Sequence, residues 1–254
     1  MRENEAQFRF YEELNDFLPR LQRKKTIPYR FNGHPAIKDS VEALGVPHTE
    51  IDLILVNGAS VSFEYPLQHS DRVAVYPVFE SLDISSVVKL RPEPLRRTAF
   101  VLDVHLGKLA RLLRLLGFDV LYRNDYEDAE IIRLSLEEHR IILTRDRQML
   151  FNKTITHARW LHSVYAERQA REVLERFDLY GQVRIFHRCT LCNGMVRRVE
   201  KSAVIDQLEP LTKRYYDEFC QCADCGRIYW QGTHYEKILR KLARLGVCAV
   251  RQKT

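Results

Sequence analysis

Short apolar runs alternate with amphipathic stretches through the middle of the chain. The runs have the length of buried strands, and leucines at 106, 109, 112, 113 and 116 recur with helical spacing. A second helix is predicted to turn Ile131, Ile132, Leu134 and Leu136 inward. The predicted strands are 99–102, 118–122 and 140–144, and the predicted helices are 106–116 and 127–139. This β-α-β-α-β order predicts an α/β fold with a parallel sheet and right-handed crossovers.

The first eighty residues have a different pattern, typical of a small β-rich domain. Asn57-Gly58 follows an apolar strand and is a strong signal for a tight hairpin. Prolines and serines after residue 80 interrupt both periodicities, which predicts a linker at 81–97. The predicted strands are 7–11, 27–31, 51–56 and 71–77, and the predicted helices are 14–21 and 37–44.

Composition changes this picture in two ways. The chain has 254 residues with a charged start and no apolar run long enough to span a bilayer, so we expect a soluble, cytoplasmic protein. In a reducing cytosol its six cysteines are better explained as metal ligands than as disulfides. The net charge of +6 is concentrated in residues 151–254, which favours a polyanionic partner such as RNA or DNA over a merely solvated surface.

Aspartates stand where the predicted strands end. Asp103 and Asp146 follow the first and third strands, and Asp128 begins a helix between them. Ligands of parallel sheets bind beyond the carboxyl ends of the strands, where three carboxylates would repel one another without a cation. We therefore expect Asp103, Asp128 and Asp146 to bind Mg²⁺ or Mn²⁺.

Several neighbours of these aspartates are candidates for the same site. Asp125 or Glu130 is the expected fourth ligand, although Asp125 is equally suited to cap the following helix. Arg145 and Arg147 flank Asp146 and are expected to hold a substrate phosphate, with pairing to an acidic residue as the alternative for Arg145. A phosphoacceptor domain also gathers aspartates, but it needs a strand-end lysine that this pattern lacks.

Two cysteine pairs follow in the basic region, Cys189-x-x-Cys192 and Cys222-x-x-Cys225. This spacing is typical of a zinc ribbon with a closed, structural Zn²⁺ site. Cys220 offers an alternative thiol to the second pair. Cations that recur with helical spacing are the expected RNA contacts, although each could equally belong to a solvated helix face. They are Lys108, Arg111 and Arg114, and then Lys237, Arg240, Lys241 and Arg244.

Residues 99–150 resemble a known family. The runs Leu102-Asp103-Val104-His105-Leu106-Gly107 and Leu143-Thr144-Arg145-Asp146 are similar to those of the PIN-like ribonucleases named after the carboxyl-terminal domain of the Mut-seven exonuclease. The cysteine segment, with Arg188-Cys189 and Tyr229-Trp230, resembles the same family. The resemblance implies a PIN-like fold and metal-dependent RNA cleavage through Asp103, Asp128 and Asp146.

Residues 5–80 resemble the ubiquitin-like β-grasp fold of sulfur-carrier proteins, but the chain continues through Phe79-Glu80-Ser81 where a carrier would end in Gly-Gly. A module for docking a protein partner or for scaffolding is therefore expected instead. The predicted domains are a β-grasp domain at 1–80, a nuclease at 98–185, and a zinc ribbon with a basic helix at 186–254. The predicted function is a metal-dependent ribonuclease acting on single-stranded or structured RNA, including transfer RNA. The alternative is a non-catalytic RNA-binding or adaptor protein with an acidic pocket.

Overall fold

The computed structural model describes residues 4–77 and 98–247, and the chain divides into two compact units. One unit contains residues 4–77 and 146–160, and the other contains residues 98–145 and 161–247. The predicted linker at 81–97 lies outside the described residues.

Strands and helices alternate along most of the described chain. In order they are β1 (Asn4–Phe10), β2 (Thr26–Phe31), α1 (Ile37–Ala43), β3 (Ile51–Val56), β4 (Ala59–Val61), β5 (Arg72–Pro77), β6 (Ala99–Leu102), α2 (Gly107–Leu115), β7 (Asp119–Leu121), α3 (Asp128–Glu138), β8 (Ile141–Thr144), β9 (Ala158–Trp160), α4 (Ala166–Arg176), β10 (Val196–Val199), α5 (Lys201–Val204), α6 (Pro210–Tyr215), β11 (Phe219–Cys222), β12 (Ile228–Trp230) and α7 (Thr233–Ala243).

The first unit contains a five-stranded β-grasp sheet in the order β2-β1-β5-β3-β4. β1 and β5 are parallel, and the other pairs are antiparallel. Asn57 and Gly58 both have positive φ in the turn between β3 and β4, as the sequence predicted. The helix expected at 14–21 is instead a 3-10 turn, Glu12–Phe17. Leu18 is extended because it precedes Pro19, and this conformation ends the turn.

The second unit contains the expected parallel sheet, in which β6 lies between β7 and β8. The predicted leucines of α2 are buried. The prediction for α3 was wrong at Leu136, which is 41% exposed, while Ser135 is buried in its place. Position 135 follows Ile131 by one helical turn, so it lies on the same face, whereas 136 has rotated away. The hydroxyl of Ser135 donates to the carbonyl of Arg140 at 2.6 Å.

A three-stranded antiparallel sheet, β10-β11-β12, follows within this second unit. Val204, Leu208 and Phe219 form a small buried core beside it. So few apolar residues stabilise a fold poorly by themselves, and small domains of this kind depend on a metal or on disulfides. No described helix has both the length and the apolar character required to cross a membrane.

Candidate functional site

Asp103 lies at the carboxyl end of β6 and is almost completely buried, with 5% of its surface exposed. Its backbone N–H donates to the carbonyl of Leu143 at 3.1 Å, which ties it to β8. Its Oδ2 accepts a hydrogen bond from the hydroxyl of Thr144 at 2.9 Å. A hydroxyl orients the carboxylate but does not offset a buried negative charge, and a bound cation would do so.

Asp128 is the first residue of α3 and is exposed. A carboxylate is favourable there because the N-terminus of a helix carries partial positive charge. The alternative role for Asp125 as a helix cap was wrong, because Glu127 occupies the cap position and makes no side-chain cap. Asp125 instead accepts two hydrogen bonds from Arg123, at 2.9 and 2.7 Å. This pairing holds the pKa of the Asp125 carboxyl below its ordinary value.

A cavity of about 800 Å³ opens beyond the carboxyl ends of β6, β7 and β8. Its wall includes residues 104–109 after β6, residues 122–124 after β7, and Arg145 after β8. The basic residues of the lining are His105, Lys108, Arg111, Arg114, Arg123 and Arg145. This is the edge of a parallel sheet at which ligands bind, and its charge suits a phosphate group.

The tight turn into α2 shapes one wall of this cavity. The hydroxyl of Tyr122 donates to the carbonyl of Val104 at 2.9 Å. A Cβ atom at Gly107 would lie only 2.6 Å from the same hydroxyl oxygen. A glycine at position 107 is therefore required for Tyr122 to reach the strand-end backbone.

Asp146 and Arg147 belong to the other unit. Asp146 is exposed, and its Oδ1 accepts from the backbone N–H of Gln148 at 2.8 Å. The guanidinium of Arg147 lies 4.1 Å from the ring centroid of Trp160, and its Nη2 donates to the carbonyl of Asp16 at 2.6 Å. Because these contacts hold the guanidinium of Arg147 against Trp160 and Asp16, Arg147 is not among the phosphate-binding residues proposed below.

Four cysteines form the clearest candidate metal site in the described part of the chain. Within residues 4–77 and 98–247, only one set of three or more His, Cys, Asp or Glu residues has all its ligand atoms within 4.8 Å of one another. That set is Cys189, Cys192, Cys222 and Cys225. Cys220, the alternative thiol, is not part of it.

The cysteine cluster fits a tetrahedral zinc site. The Sγ atoms of Cys189 and Cys225 are 3.6 Å apart, and those of Cys192 and Cys222 are 3.4 Å apart. Four sulfurs around Zn²⁺ at about 2.3 Å would lie roughly 3.8 Å from one another. Cys189 and Cys192 lie in a turn in which Asn193 has a φ of 73°, and Cys222 and Cys225 in one in which Gly226 has a φ of 72°.

The pKa values of two thiols in the cluster are shifted in opposite directions. Burial would raise the pKa of Cys189, but hydrogen bonds from the backbone N–H groups of Cys192 and Leu191 and from the hydroxyl of Tyr229 lower it to about 6. Burial, together with the neighbouring thiols, raises the pKa of Cys192 to about 12. One thiolate thus opposes the ionisation of the next, and a divalent cation would relieve that opposition.

Sequence reasoning missed a buried polar network on the opposite edge of the sheet. Asp119, at the start of β7, accepts from Arg140 at 2.8 Å, from Arg188 at 3.1 Å and from Asn193 at 2.9 Å. Asn193 also accepts from the backbone N–H of Val120 at 2.9 Å. The available signal was that Asp119 and Arg140 stand at the amino ends of β7 and β8, the two strands that flank β6, because the strands of a parallel sheet have their amino ends at one edge. The network joins the first cysteine turn to the sheet.

The pKa of Asp119 records the balance of these contacts. Burial by itself would raise the pKa of this carboxyl. Hydrogen bonds from Arg140 and Asn193, with the charges of Arg140 and Arg188, outweigh burial and lower the pKa below its ordinary value. Asp119 is therefore ionised at neutral pH.

Arg114 makes the second connection between the cysteine turn and the sheet. It is 5% exposed, its Nε and Nη2 donate to the carbonyl of Val120, and its Nη1 donates to the carbonyl of Leu191 at 2.7 Å. With its donors directed at backbone carbonyls, Arg114 supports the fold rather than contacting RNA. We therefore leave it out of the proposed RNA contacts.

Comparison with known families agrees with this architecture. The family model described as Mut7-C RNAse domain matches residues 98–242, more than half of the chain. The chain belongs to the Mut7-C RNAse family. A second model, described as Mut7-C ubiquitin, matches residues 3–83. These matches indicate a ribonuclease that carries an N-terminal ubiquitin-like domain, and they bear out both resemblances seen in the sequence.

Two solved structures are also similar to the chain, both of small archaeal modifier protein 1 from Haloferax volcanii. Each is 15% identical, with a TM-score of 0.25. The matches cover 30% and 31% of this chain, and 99% and 100% of the archaeal chains. No curated protein matches the chain.

The Mut7-C RNAse region contains a second cavity, of about 1090 Å³. Lys108 and Arg111, which also line the strand-end cavity, stand on one side of it. Aromatic side chains occupy much of the remaining wall, including Tyr165 and Trp230, which are 64% and 42% exposed. Cations and exposed rings together suit a single strand of nucleic acid, whose phosphates and bases need different partners.

Helix α7 also belongs to the Mut7-C RNAse region up to residue 242. Its apolar face is buried at Leu242, with Leu245 just beyond the helix end, while the predicted RNA contacts, three on the helix and Arg244 just after it, are exposed. Lys241 lines the second cavity and pairs with Glu167 at 3.0 Å. The exposed cations are Lys237, Arg240, Lys241 and Arg244.

Proposed function

We propose that this chain is a metal-dependent ribonuclease in which Asp103, Asp128 and Asp146 bind Mg²⁺ or Mn²⁺. The observation that carries the proposal is the match to the Mut7-C RNAse domain across the residues that build the strand-end cavity. Aspartate carboxylates offer the oxygen ligands that hard divalent cations prefer. Asp103 adds a buried carboxylate, for which a cation is the natural counter-charge.

The proposed chemistry is hydrolysis of a phosphodiester. A divalent ion in such a site lowers the pKa of a bound water and neutralises charge on the phosphate. Asp103 is held in place for this task by Thr144, whose hydroxyl fixes one carboxylate oxygen. Arg145, Lys108 and Arg111 line the cavity and would hold the phosphate, because guanidinium and ammonium groups bind phosphate oxygens.

We further propose that the RNA strand extends into the second cavity. Lys108 and Arg111 line both cavities, so a backbone held at the strand ends can continue past them. Tyr165 and Trp230 would stack unpaired bases there, each contributing about 1–3 kcal/mol. The exposed cations of α7 would add phosphate contacts, so RNA affinity should fall as the salt concentration rises.

The zinc site has a structural role in this proposal. Four thiolates would complete the tetrahedron and leave no position for water or substrate. Zn²⁺ would stabilise the antiparallel sheet β10-β11-β12 and, through Asn193 and Arg114, the attachment of the cysteine turn to β7. Mg²⁺ or Mn²⁺ would serve catalysis separately.

Replacing Asp103 by Asn tests the proposal directly. The substitution removes the charge but keeps the shape, so cleavage of a single-stranded RNA with Mg²⁺ or Mn²⁺ should fall about a thousandfold, or about 4 kcal/mol in the barrier. RNA affinity should remain, because the cations that attract RNA are unchanged. The control is Asp206→Asn, an exposed aspartate in the 3-10 turn Ile205–Gln207. Cleavage at the wild-type rate by the Asp103→Asn protein would eliminate the nuclease proposal.

The same experiment tests the second candidate, an RNA-binding protein without catalytic activity. That candidate is favoured by the second cavity, whose cations and exposed rings suit RNA binding and require no reaction. It predicts RNA binding by the wild type with no metal-dependent cleavage. Any cleavage that Mg²⁺ or Mn²⁺ supports and that Asp103→Asn abolishes contradicts it.

A further inference from the structure

Residues 146–160 follow the nuclease strand β8 along the chain, yet they pack in the same compact unit as the β-grasp domain. The segment contains a 3-10 turn, Met149–Phe151, and ends in β9. Its apolar residues Met149, Leu150 and Ile155 are buried. Polar contacts at its beginning, middle and end join it to the β-grasp domain.

The contact at the end of the segment is a buried ion pair. Glu50 is 1% exposed and lies just before β3. Its Oε2 accepts from Nη1 of Arg159 at 2.5 Å, and its Oε1 accepts from the backbone N–H of Trp160 at 2.7 Å. Arg159 is buried too. Separating the segment 146–160 from the β-grasp domain would therefore break a buried ion pair, which is costly.

The contact in the middle uses a buried histidine. Nε2 of His48 donates to the carbonyl of Ile155 at 2.9 Å, and its Nδ1 bonds to the carboxylate of Glu42 at 2.5 Å. The carbonyl is an acceptor, so Nε2 must carry a hydrogen for this bond to form. His48 therefore fixes the backbone of the segment rather than one of its side chains.

The contact at the beginning involves the residue next to Asp146. The guanidinium of Arg147 contacts two neighbouring rings, with its centre 4.1 Å from the centroid of Trp160 and 5.0 Å from that of Phe17. Its Nη2 donates to the backbone carbonyl of Asp16. Stacking of a guanidinium on aromatic faces is favourable and directional, so it limits the conformations of the backbone at position 147.

We propose that the β-grasp domain is an internal support for the segment that carries Asp146, and that Glu50 is a positioning residue for this candidate metal ligand. The role of Asp146 as a ligand rests on the function proposed above. Glu50 holds Trp160, Trp160 packs on Arg147, and Arg147 adjoins Asp146 in the chain. Each link lies within one compact unit.

On this face of the β-grasp domain, the contacts favour a scaffolding role over the docking of another protein. A surface kept for another protein would have to be accessible, whereas Phe17, His48 and Glu50 are buried beneath residues of the same chain. The partner of this face is therefore the segment 146–160. A structural role of this kind requires no free C-terminal Gly-Gly.

Glu50→Gln in the full chain is the test, and it is matched by Asp71→Asn. Asp71 is another buried carboxylate of the β-grasp domain, and its partners are Asn57, Tyr65 and Gln68 rather than the segment 146–160. Hydrogen exchange should accelerate about tenfold at the amides of 150–160 in Glu50→Gln and remain unchanged there in Asp71→Asn. The amide of Trp160 should respond most strongly, because it bonds to Glu50 itself.

A second measurement separates positioning from general stability. In Glu50→Gln the Mn²⁺ concentration that gives half-maximal RNA cleavage should rise about tenfold, while the KM for RNA stays unchanged. If Glu50→Gln does not fold, Phe17→Leu removes only one aromatic wall of the Arg147 contact and should produce the same pattern more weakly. Equal exchange at 150–160 in Glu50→Gln and Asp71→Asn would overturn the proposal. A wild-type protein that cleaves no RNA would overturn the nuclease function instead, and the exchange result would still stand.

Discussion

The cysteines and the aspartates differ in how their ligands are distributed along the chain. The cysteines come from two short turns, and their sulfur atoms lie within 4.8 Å of one another. The aspartates come from a strand end, the start of a helix, and a segment that belongs to the other compact unit.

The difference follows from what each group needs in order to assemble. A Cys-x-x-Cys turn places two ligands side by side through local backbone geometry, so only two turns have to meet. Carboxylates repel one another, and without a cation there is no force to draw them together. A zinc site made of two such turns can therefore be predicted from local spacing, whereas a dispersed carboxylate site depends on the long-range fold.

The largest expected effect concerns the local site. Structural zinc contributes about 10–16 kcal/mol to peptides of this type, so losing one ligand in Cys222→Ser should weaken zinc binding at least about a thousandfold, or about 4 kcal/mol. Zinc content after dialysis and the melting temperature would both fall. Cys220→Ser, two positions away on β11, should keep both at wild-type values because Cys220 lies outside the cluster. Loss of zinc in Cys220→Ser, with zinc retained in Cys222→Ser, would show that Cys220 and not Cys222 is the ligand.

An intermediate effect is expected at the network that joins the cysteine turn to the sheet. Asp119→Asn leaves the buried Arg140 with only the partly exposed Glu138 as a charged partner, and it should destabilise the fold by about 3 kcal/mol in urea unfolding at pH 7. The pKa of Asp119 is lower in the folded protein than in the unfolded chain, where it is about 4, so the ionised carboxylate stabilises the fold at neutral pH. This stabilisation is lost as the pH falls through the pKa of the folded state. The difference in the free energy of unfolding between wild type and Asp119→Asn should therefore be smaller at pH 3 than at pH 7.

Asp217→Asn is the matched control for this measurement. Asp217 pairs with Lys201 at the surface, where ion pairs contribute little, so its loss should change stability by less than about 1 kcal/mol at either pH. If the difference in unfolding free energy between wild type and Asp119→Asn did not change with pH, the lowered pKa of Asp119 would be contradicted.

The smallest expected effect concerns the dispersed site. Asp128→Asn should raise the Mg²⁺ concentration needed for half-maximal RNA cleavage about tenfold, or about 1.4 kcal/mol, because one of several ligands is lost. Asp125→Asn should raise it no more than about twofold, since Asp125 is exposed and already bonded to Arg123. Equal effects of the two substitutions would show that Asp125 contributes to metal binding as much as Asp128 does.

The parts of this molecule that were predictable depend on short stretches of sequence. The strands β6, β7 and β8 and the cysteine turns follow from local apolar runs and spacing. Cations were harder to place, because Arg114 follows the exposed Arg111 by three positions and the buried Ala110 by four, so helical spacing assigns it to either face. Residues 146–160 carry no clear period, and their packing with the β-grasp domain depends on residues a hundred positions earlier.

The bonds from Arg114 to Val120 and Leu191 affect how inhibition by chelators should be interpreted. They connect a helix that lines the strand-end cavity to the turn between two zinc ligands. An agent that strips zinc selectively would loosen that helix and reduce activity without touching any atom of the substrate. Sensitivity to such an agent would therefore report on the integrity of the scaffold, and would not identify zinc as the ion that performs the chemistry.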